Sequence, residues 1–449
     1  MQSKINAMQN ILIIGAGRSA TYLIEYLLEA AETENWTVTL ADSDLSLAQE
    51  KIASSNHAKA IELNIENELL RKELISKATV VVSMLPAHMH MNVATDCVAL
   101  GKHLVTASYV STAMRELNDD AIKNNVLLLN EIGLDPGIDH MSAMRIIHEL
   151  KNKDAKITSF KSFCGGLVAP ESIDNPWGYK FSWNPRNVIL AGQNTAQYLE
   201  NSELKFIPYS RLFATAETID VDDLGTFDAY ANRDSLSYQV PYGLDNVETI
   251  LRGTLRQHPY CKAWNVFVQL GLCDDSYTIN TEKLTYKKLV ASFLPNNDLS
   301  LNDKLIKYCG ADIESLSLIE YTGILEDSKI NLPQGTPAQI LQELLERKLK
   351  LQPQDKDMVV MVHLFEYKLQ NVKKRLQSSL VVTGENSKYT AMAKTVGLPA
   401  AIAVKQIMQN KIQLRGVQIP IVPEIYNPIL DELELLGICF NEKETDCIV

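Results

Sequence analysis

The stretch Gly15-Ala16-Gly17-Arg18-Ser19-Ala20 follows the apolar run Asn10-Ile-Leu-Ile-Ile14, and Asp42 ends a second apolar run that starts at Trp36. These residue types in this order suit a dinucleotide. A short unbroken apolar run reads as a buried parallel strand. Gly15 permits a sharp turn after it, Gly17 lets the backbone approach a pyrophosphate, and Ala20 is small enough for close helix–strand packing. A helix expected over 19–31 then points the free N–H groups of its first turn, around Arg18 and Ser19, at the phosphates. Asp42 stands where an acid accepts hydrogen bonds from ribose hydroxyls and repels the extra phosphate of NADP. NAD is therefore the favoured cofactor, with NADP as the alternative. Asp42 or Asp44 can equally cap a helix expected over 45–54, and the two roles are compatible.

A second group is Asn130-Glu-Ile-Gly-Leu-Asp135-Pro-Gly-Ile-Asp-His140. Asp-Pro-Gly is by itself a turn signal, since Pro presets φ and Gly supplies a positive one. Its place after the last strand of the nucleotide domain would bring Leu134 and Asp135 past a nicotinamide, where a carboxylate can accept a proton or activate water. Turn residue and general base are both open for Asp135. Cys164 is followed by two glycines that would let a ligand approach the backbone, although cysteine is most often a small buried hydrophobe. Arg233, in Asn232-Arg-Asp-Ser235, and Arg252, in Arg252-Gly-Thr-Leu-Arg256, supply planar forks for carboxylates. His88 and His90 have no third ligand at metal spacing, so no metal site is expected.

To position these groups the first third of the chain alternates strand and helix. Strands are expected over 59–63, 78–85, 103–106 and 126–129, and helices over 66–77, 91–100 and 112–124. This is the pattern of a Rossmann-type, doubly wound parallel sheet in an α/β protein, whose ligands bind at the carboxyl ends of the strands. Leu85-Pro86 and Ala107-Ser108-Tyr109 follow two of those strands and should line the cofactor crevice. Further strands are expected over 156–164, 179–183, 227–230, 357–363 and 380–383, with Tyr179, Phe181 and Trp183 alternating on a core face and Lys180 and Ser182 opposite. Helical spacing dominates 281–349. A long helix over 389–409 should be kinked or divided at Gly397-Leu-Pro399. The domains expected are a dinucleotide-binding domain at 1–130, to which about 390–449 returns, an α/β substrate domain with a mixed sheet at 131–280 and 350–390, and a helical domain at 281–349.

A length of 449 residues exceeds one core. The formal charge of −12 argues against nucleic acid or anionic membrane as partner, since both demand a basic surface. An anionic substrate must therefore be met by local arginines. The seven cysteines are scattered without a C-x-x-C pair, which fits a reduced cytoplasmic compartment rather than a disulfide framework or zinc site. No run of ~18 apolar residues suggests a membrane helix, and no signal peptide is read at the N-terminus.

Taken together, the blocks resemble the glutamate-forming saccharopine dehydrogenases, nearly end to end. The residues that carry the resemblance are Gly15-x-Gly17, Val105-Thr-Ala-Ser-Tyr109, Glu131 to His140, Cys164-Gly-Gly, Asn175-Pro-x-Gly-Tyr-Lys-Phe-Ser-Trp183, Asn232-Arg-Asp-Ser235, Arg252-Gly-Thr-Leu-Arg256 and Ala391-Met-Ala-Lys-Thr-Val-Gly-Leu-Pro399. The resemblance implies NAD(P)-dependent oxidative cleavage of saccharopine to glutamate and 2-aminoadipate 6-semialdehyde in lysine metabolism. It also implies that Ser108, Tyr109, Asp135, Cys164, Arg233, Arg252, Gly253 and Thr254 surround that small-molecule substrate, with Asp135, Tyr109 and Cys164 as the proton-transfer candidates. Fungal members that use NADP carry a basic residue in place of Asp42. A homodimer is the expected assembly. The alternatives are an imine reductase of the carboxynorspermidine dehydrogenase type, whose cationic substrate would want acids in place of Arg233 and Arg252, and a nucleotide-binding sensor that has lost catalysis, whose site blocks should be broken.

Overall fold

The computed structural model describes residues 9–191, 195–221, 224–370 and 372–446. Cys447 lies outside them. The chain divides into two compact units, the first formed by Met1–Asn152 and Lys388–Cys439, the second by Lys153–Ser387 and Phe440–Val449.

In the first unit β1 (Asn10–Ile14), β2 (Thr37–Asp42), β3 (Ala58–Glu62), β4 (Val80–Ser83), β5 (His103–Thr106) and β6 (Leu127–Leu129) form a sheet together with a late strand, Gly416–Gln418. The order is Gly416–Gln418, β6, β5, β4, β1, β2, β3, and every pairing is parallel. Order reverses between β1 and β4, which is where such a sheet holds ligands. The apolar run Ile11–Ile14 is buried throughout because both faces are covered.

Helix α1 (Thr21–Glu34) packs against Ala391–Met408, one continuous helix that runs through Pro399. Of the two expected outcomes, division into two short helices does not occur at Gly397-Leu-Pro399. Gly397 instead serves close approach: a Cβ there would lie 3.0 Å from the Leu23 backbone nitrogen and 3.2 Å from the Ser19 carbonyl. Tight packing on α1 holds the helix across a proline that would break it in isolation.

The first compact unit runs on to residue 152, because helix Ile138–Asn152 packs on Pro423–Leu435. His148 meets the Tyr426 hydroxyl at 2.6 Å, and Arg145 pairs with Asp431 at 2.6 Å.

The second unit is built on a nine-stranded mixed sheet. Its centre is β7 (Lys156–Val168), parallel to Thr249–Gln257 on one side and antiparallel to Asp357–Leu369 on the other. Three corrections follow. Segment 179–183 is not a strand: the Asn175 side chain accepts from Trp177 N–H and donates to the Tyr179 carbonyl, and Gly178 takes φ +57°, so the chain coils. Both expected faces are then buried, with Lys180 held between Asp174 and Asp355 at 2.8 and 2.7 Å. The helices of 281–349 are not separate either, since Leu305, Leu318 and Leu341 join one core with Trp264 and Phe267. Finally, Phe440–Asp446 leaves the first unit and pairs along Val372–Thr383 in the second sheet.

The Gly397 contact has a measurable cost of substitution. Gly397→Val overpacks the interface with α1 and is expected to destabilise by about 1–3 kcal/mol, read as a lowered midpoint in urea unfolding. An unchanged midpoint would mean that α1 yields freely at Ser19 and Leu23.

Candidate functional site

The glycine turn closes β1 as the sequence predicts. Gly15 adopts φ +105°, and a Cβ on it would press the Met84 carbonyl at 3.0 Å, whereas nothing lies within 4 Å of the Cβ position on Gly17. The backbone at Gly17 is thus open to a ligand. Beyond it a short 3-10 turn, Arg18–Ala20, leads into α1 without a side-chain cap, and the first N–H groups of a helix are donors suited to an anion. Gly17 and Arg18 are exposed, Ser19 is half-buried and Ala20 is buried. This open cradle fits a pyrophosphate.

Asp42 stands at the end of β2, where its oxygens accept from two backbone N–H groups, Ala16 at 2.6 Å and Asp44 at 2.9 Å. Its carboxylate therefore holds the glycine turn. Asp44 caps the following helix, Leu45–Ile52, through Leu47 N–H. Thus Asp44 takes the capping role that the sequence left open between the two acids.

Leu85-Pro86 follows β4 and Ser108-Tyr109 follows β5, as expected, at the carboxyl edge of the sheet. Ser108 is held by a histidine that the sequence reading set aside. His90 bonds the Ser83 hydroxyl through Nδ1 at 2.8 Å and the Ser108 hydroxyl through Nε2 at 2.7 Å. Burial, with a smaller contribution from the charge of His88, pushes the His90 imidazole down to about 4. It is neutral near pH 7, so one ring nitrogen donates and the other accepts.

Asp135 is both a turn residue and a polar contact. The turn is tight: Gly133 N–H donates to the Pro136 carbonyl at 2.9 Å, Ile138 N–H to the Gly133 carbonyl at 2.9 Å, and a Cβ on Gly137 would fall 2.1 Å from the Gly133 oxygen. The Asp135–Pro136 bond is cis. Asp135 remains half-buried and accepts from the Tyr109 hydroxyl at 3.1 Å, which brings two of the proton-transfer candidates together. Leu134 beside it is buried.

The remaining candidates lie in the second unit and cluster by strand register. Cys164 on β7 pairs with Thr254, Phe163 with Gly253, and Ser162 with Arg252. Arg252 is buried, its guanidinium 4.4 Å from the Tyr238 ring centre. Its backbone laces the loop that carries Arg233: Arg252 N–H donates to the Ser235 hydroxyl and Asn232 N–H to the Arg252 carbonyl, both at 2.8 Å. Arg233 itself is exposed, at φ +53°. The reading of the glycines after Cys164 as an opening for a ligand is corrected at Gly165, where a Cβ would meet the Leu255 carbonyl at 2.6 Å. Gly253 likewise clears the Phe163 ring, 2.6 Å from its Cβ position. Strand packing requires glycine at both positions.

Among the described residues no group of acids, histidines or cysteines could hold a metal, and no helix is long and apolar enough to cross a membrane.

Known proteins match this arrangement throughout. Residues 11–129 match the family model described as Saccharopine dehydrogenase NADP binding domain, and residues 133–438 that described as Saccharopine dehydrogenase C-terminal domain. The chain belongs to the saccharopine dehydrogenase family. It is 34% identical to "Saccharopine dehydrogenase [NADP(+), L-glutamate-forming]" of Saccharomyces cerevisiae over 97% of this chain and 99% of that protein. It is 33% identical to the mitochondrial alpha-aminoadipic semialdehyde synthase of Mus musculus, matching 98% of this chain but 48% of that protein. The solved structure of the apo, histidine-tagged saccharopine dehydrogenase (L-Glu forming) from Saccharomyces cerevisiae superposes with a TM-score of 0.87, at 33% identity, covering 97% of this chain and all of that one.

The neutral state of His90 ties stability to pH. Its proton is bound more weakly in the fold than in the unfolded chain, so the stabilisation is complete above about 6.5 and is lost as pH falls towards about 4. The slope for one proton is about 1.4 kcal/mol per pH unit. The stability gap between the parent and His90→Gln in urea melts should therefore narrow from pH 6.5 to 4. A constant gap would show that His90 is not held neutral.

Proposed function

We propose that this chain is a glutamate-forming saccharopine dehydrogenase that uses a nicotinamide dinucleotide to cleave saccharopine into glutamate and 2-aminoadipate 6-semialdehyde. The observation that carries the reading is a likeness to the yeast L-glutamate-forming enzyme that spans both units and nearly the whole of both proteins. The proton-transfer candidates and the arginine loop agree with it.

Gly15, Gly17 and the turn at Arg18, Ser19 and Ala20 would hold the pyrophosphate, with Asp42 at the ribose and Leu85, Pro86, Ser108 and Leu134 along the remainder. When bound, the dinucleotide accepts hydride from the lysine-side carbon attached to the secondary amine. The chain's own residues then manage protons. Asp135, in contact with the Tyr109 hydroxyl, takes the proton from the amine, and the pair relays protons as water adds to the imine and the carbinolamine collapses. Cys164 is the third proton-transfer candidate. Its partner in register, Thr254, belongs with Gly253 to the substrate-facing set, and Arg233 and Arg252 meet substrate carboxylates. Such contacts act equally on ground and transition states and set KM.

Cofactor choice divides two lines of argument. The yeast relative is named for NADP(+), whereas Asp42 and Asp44 present two carboxylates at the end of β2, where a 2′-phosphate would lie. The local charge leads us to expect the better kcat/KM with NAD, and Asp42→Ala should raise the relative use of NADP. The assay is nicotinamide reduction with saccharopine and either cofactor, followed by product identification. Release of lysine and 2-oxoglutarate in place of glutamate would overturn the assignment, and a wild-type preference for NADP would overturn the role given to Asp42.

Asp135→Asn separates base from turn. Asparagine serves the turn and still accepts from Tyr109 but takes no proton, so kcat should fall by about 10²–10⁴ with the melting temperature retained. A near-normal kcat would leave Asp135 as a turn residue.

A further inference from the structure

Tyr109 owes its backbone geometry to one buried acid outside the candidate set. Glu131 N–H donates to the Ser108 carbonyl at 3.1 Å, and the Glu131 carboxylate accepts from Val110 N–H at 2.9 Å. Those two groups belong to the peptide units on either side of Tyr109, so a single residue grips both. The other carboxylate oxygen of Glu131 meets His140 Nε2 at 2.8 Å, and Asp139 lies 3.9 Å from the second ring nitrogen. Glu131 and Asp139 are 3% and 2% exposed and His140 is fully buried, so the cluster is shielded from water and its bonds are stiff. Ile132 N–H extends the lacing to the Thr106 carbonyl at 3.3 Å.

Glu131 itself stands at φ +56°, a left-handed conformation that residues with a side chain seldom take. Such a backbone persists only where the surroundings over-determine it, and it concentrates at functional sites. Here the twist lets the main chain face Ser108 while the side chain reaches past Tyr109 to Val110. Four residues on, the same segment delivers Asp135 to the Tyr109 hydroxyl.

We infer that Glu131, anchored by His140, is the positioning residue that aligns Tyr109 with Asp135. Neither Glu131 nor His140 touches the reacting atoms in this scheme. The inference rests on the proposed role of Tyr109 and Asp135 in proton transfer.

Side-chain reach, not charge, is what the grip on Val110 requires. Glu131→Gln keeps the reach and an acceptor for Val110 N–H, and its amide can donate to His140 Nε2 once the ring holds its proton on Nδ1. Glu131→Asp keeps the charge and falls short by one methylene. Measured with saccharopine and nicotinamide cofactor, Glu131→Asp should lose about tenfold or more in kcat while the KM for cofactor stays within about twofold, and Glu131→Gln should stay within about threefold of the parent. The decisive comparison repeats Glu131→Asp in Tyr109→Phe. If Glu131 acts through the Tyr109 hydroxyl, most of the loss vanishes in that background, because coupled residues are non-additive.

A loss by the same factor in both backgrounds, a parent-like kcat in Glu131→Asp, or an equal loss in Glu131→Gln would overturn the inference. Should Glu131→Asp not fold, His140→Asn, too short to reach Glu131, enters the same cycle. A kcat loss of about threefold or more that disappears in Tyr109→Phe then supports the inference, and an additive loss or none overturns it. Failure of the underlying proton-transfer reading looks different, since Tyr109→Phe and Asp135→Asn would themselves leave kcat unchanged.

Discussion

A sheet whose strands are all parallel must be covered on both faces, and that constraint organises the first unit. The helices between β1 and β6 come from the crossovers of the sheet itself. Ala391–Met408 reaches the same unit from far along the chain and packs on α1, β4 and β5. Its many alanines and the single Gly397 allow a close approach to Leu23. With both faces closed, the carboxyl ends of the strands are the places where loops can gather. The glycine turn after β1, Asp42 at β2, Leu85-Pro86 after β4, Ser108-Tyr109 after β5 and Glu131 to Asp135 after β6 all occupy that edge. The candidate site of this unit is thus a consequence of strand direction.

At this edge buried or half-buried acids hold backbone. Asp42 accepts from Ala16 and Asp44, and Glu131 from Val110. A side-chain oxygen that accepts N–H groups fixes a loop with little apolar area, because it satisfies backbone donors that would otherwise be costly to bury. Loops fixed in this way can lie open to a ligand on their other side. Gly17, with nothing near its Cβ position, shows that openness.

Much of this was legible from local pattern. The β1–turn–α1 block announces itself because apolar runs, positive-φ glycines and a small residue at Ala20 are demands of neighbouring residues on each other. Segment 179–183 misled because alternation describes a strand only when the chain has strand partners, and Asn175 and Gly178 coil the backbone before any form. Phe440–Asp446 gave no strand signal since, as an edge strand, it is almost wholly exposed and has no apolar face to reveal. What assigns helix Ile138–Asn152 to the first compact unit is its contact with Pro423–Leu435, a partner nearly three hundred residues away that no local pattern reveals. His90 drew notice in the sequence only for its lack of metal-ligand spacing, and its hydrogen bonds to Ser83 and Ser108 depend on β4 and β5 lying side by side. Glu131 was visible only as part of a motif.

The acidic character of the chain makes the local chemistry of the second unit more telling. With a net charge of −12 the long-range field repels a polycarboxylate, so recognition must come from groups at close range. Arg252 is suited to this by its burial: desolvation weakens the competition from water for the guanidinium, the Tyr238 ring supports one face of it, and the Ser235 hydroxyl fixes its backbone. Arg233 is the opposite case, exposed and carried on a loop that Arg252 itself pins through Asn232. The two arginines are therefore not independent. Removing the Arg252 side chain leaves the backbone bonds that set the Arg233 loop, whereas moving the Arg252 backbone would displace both. On the proposed reading, a buried fork with a fixed backbone and an exposed fork on the loop it pins would meet different carboxylates of one substrate, a distinction that an overall positive field would not make.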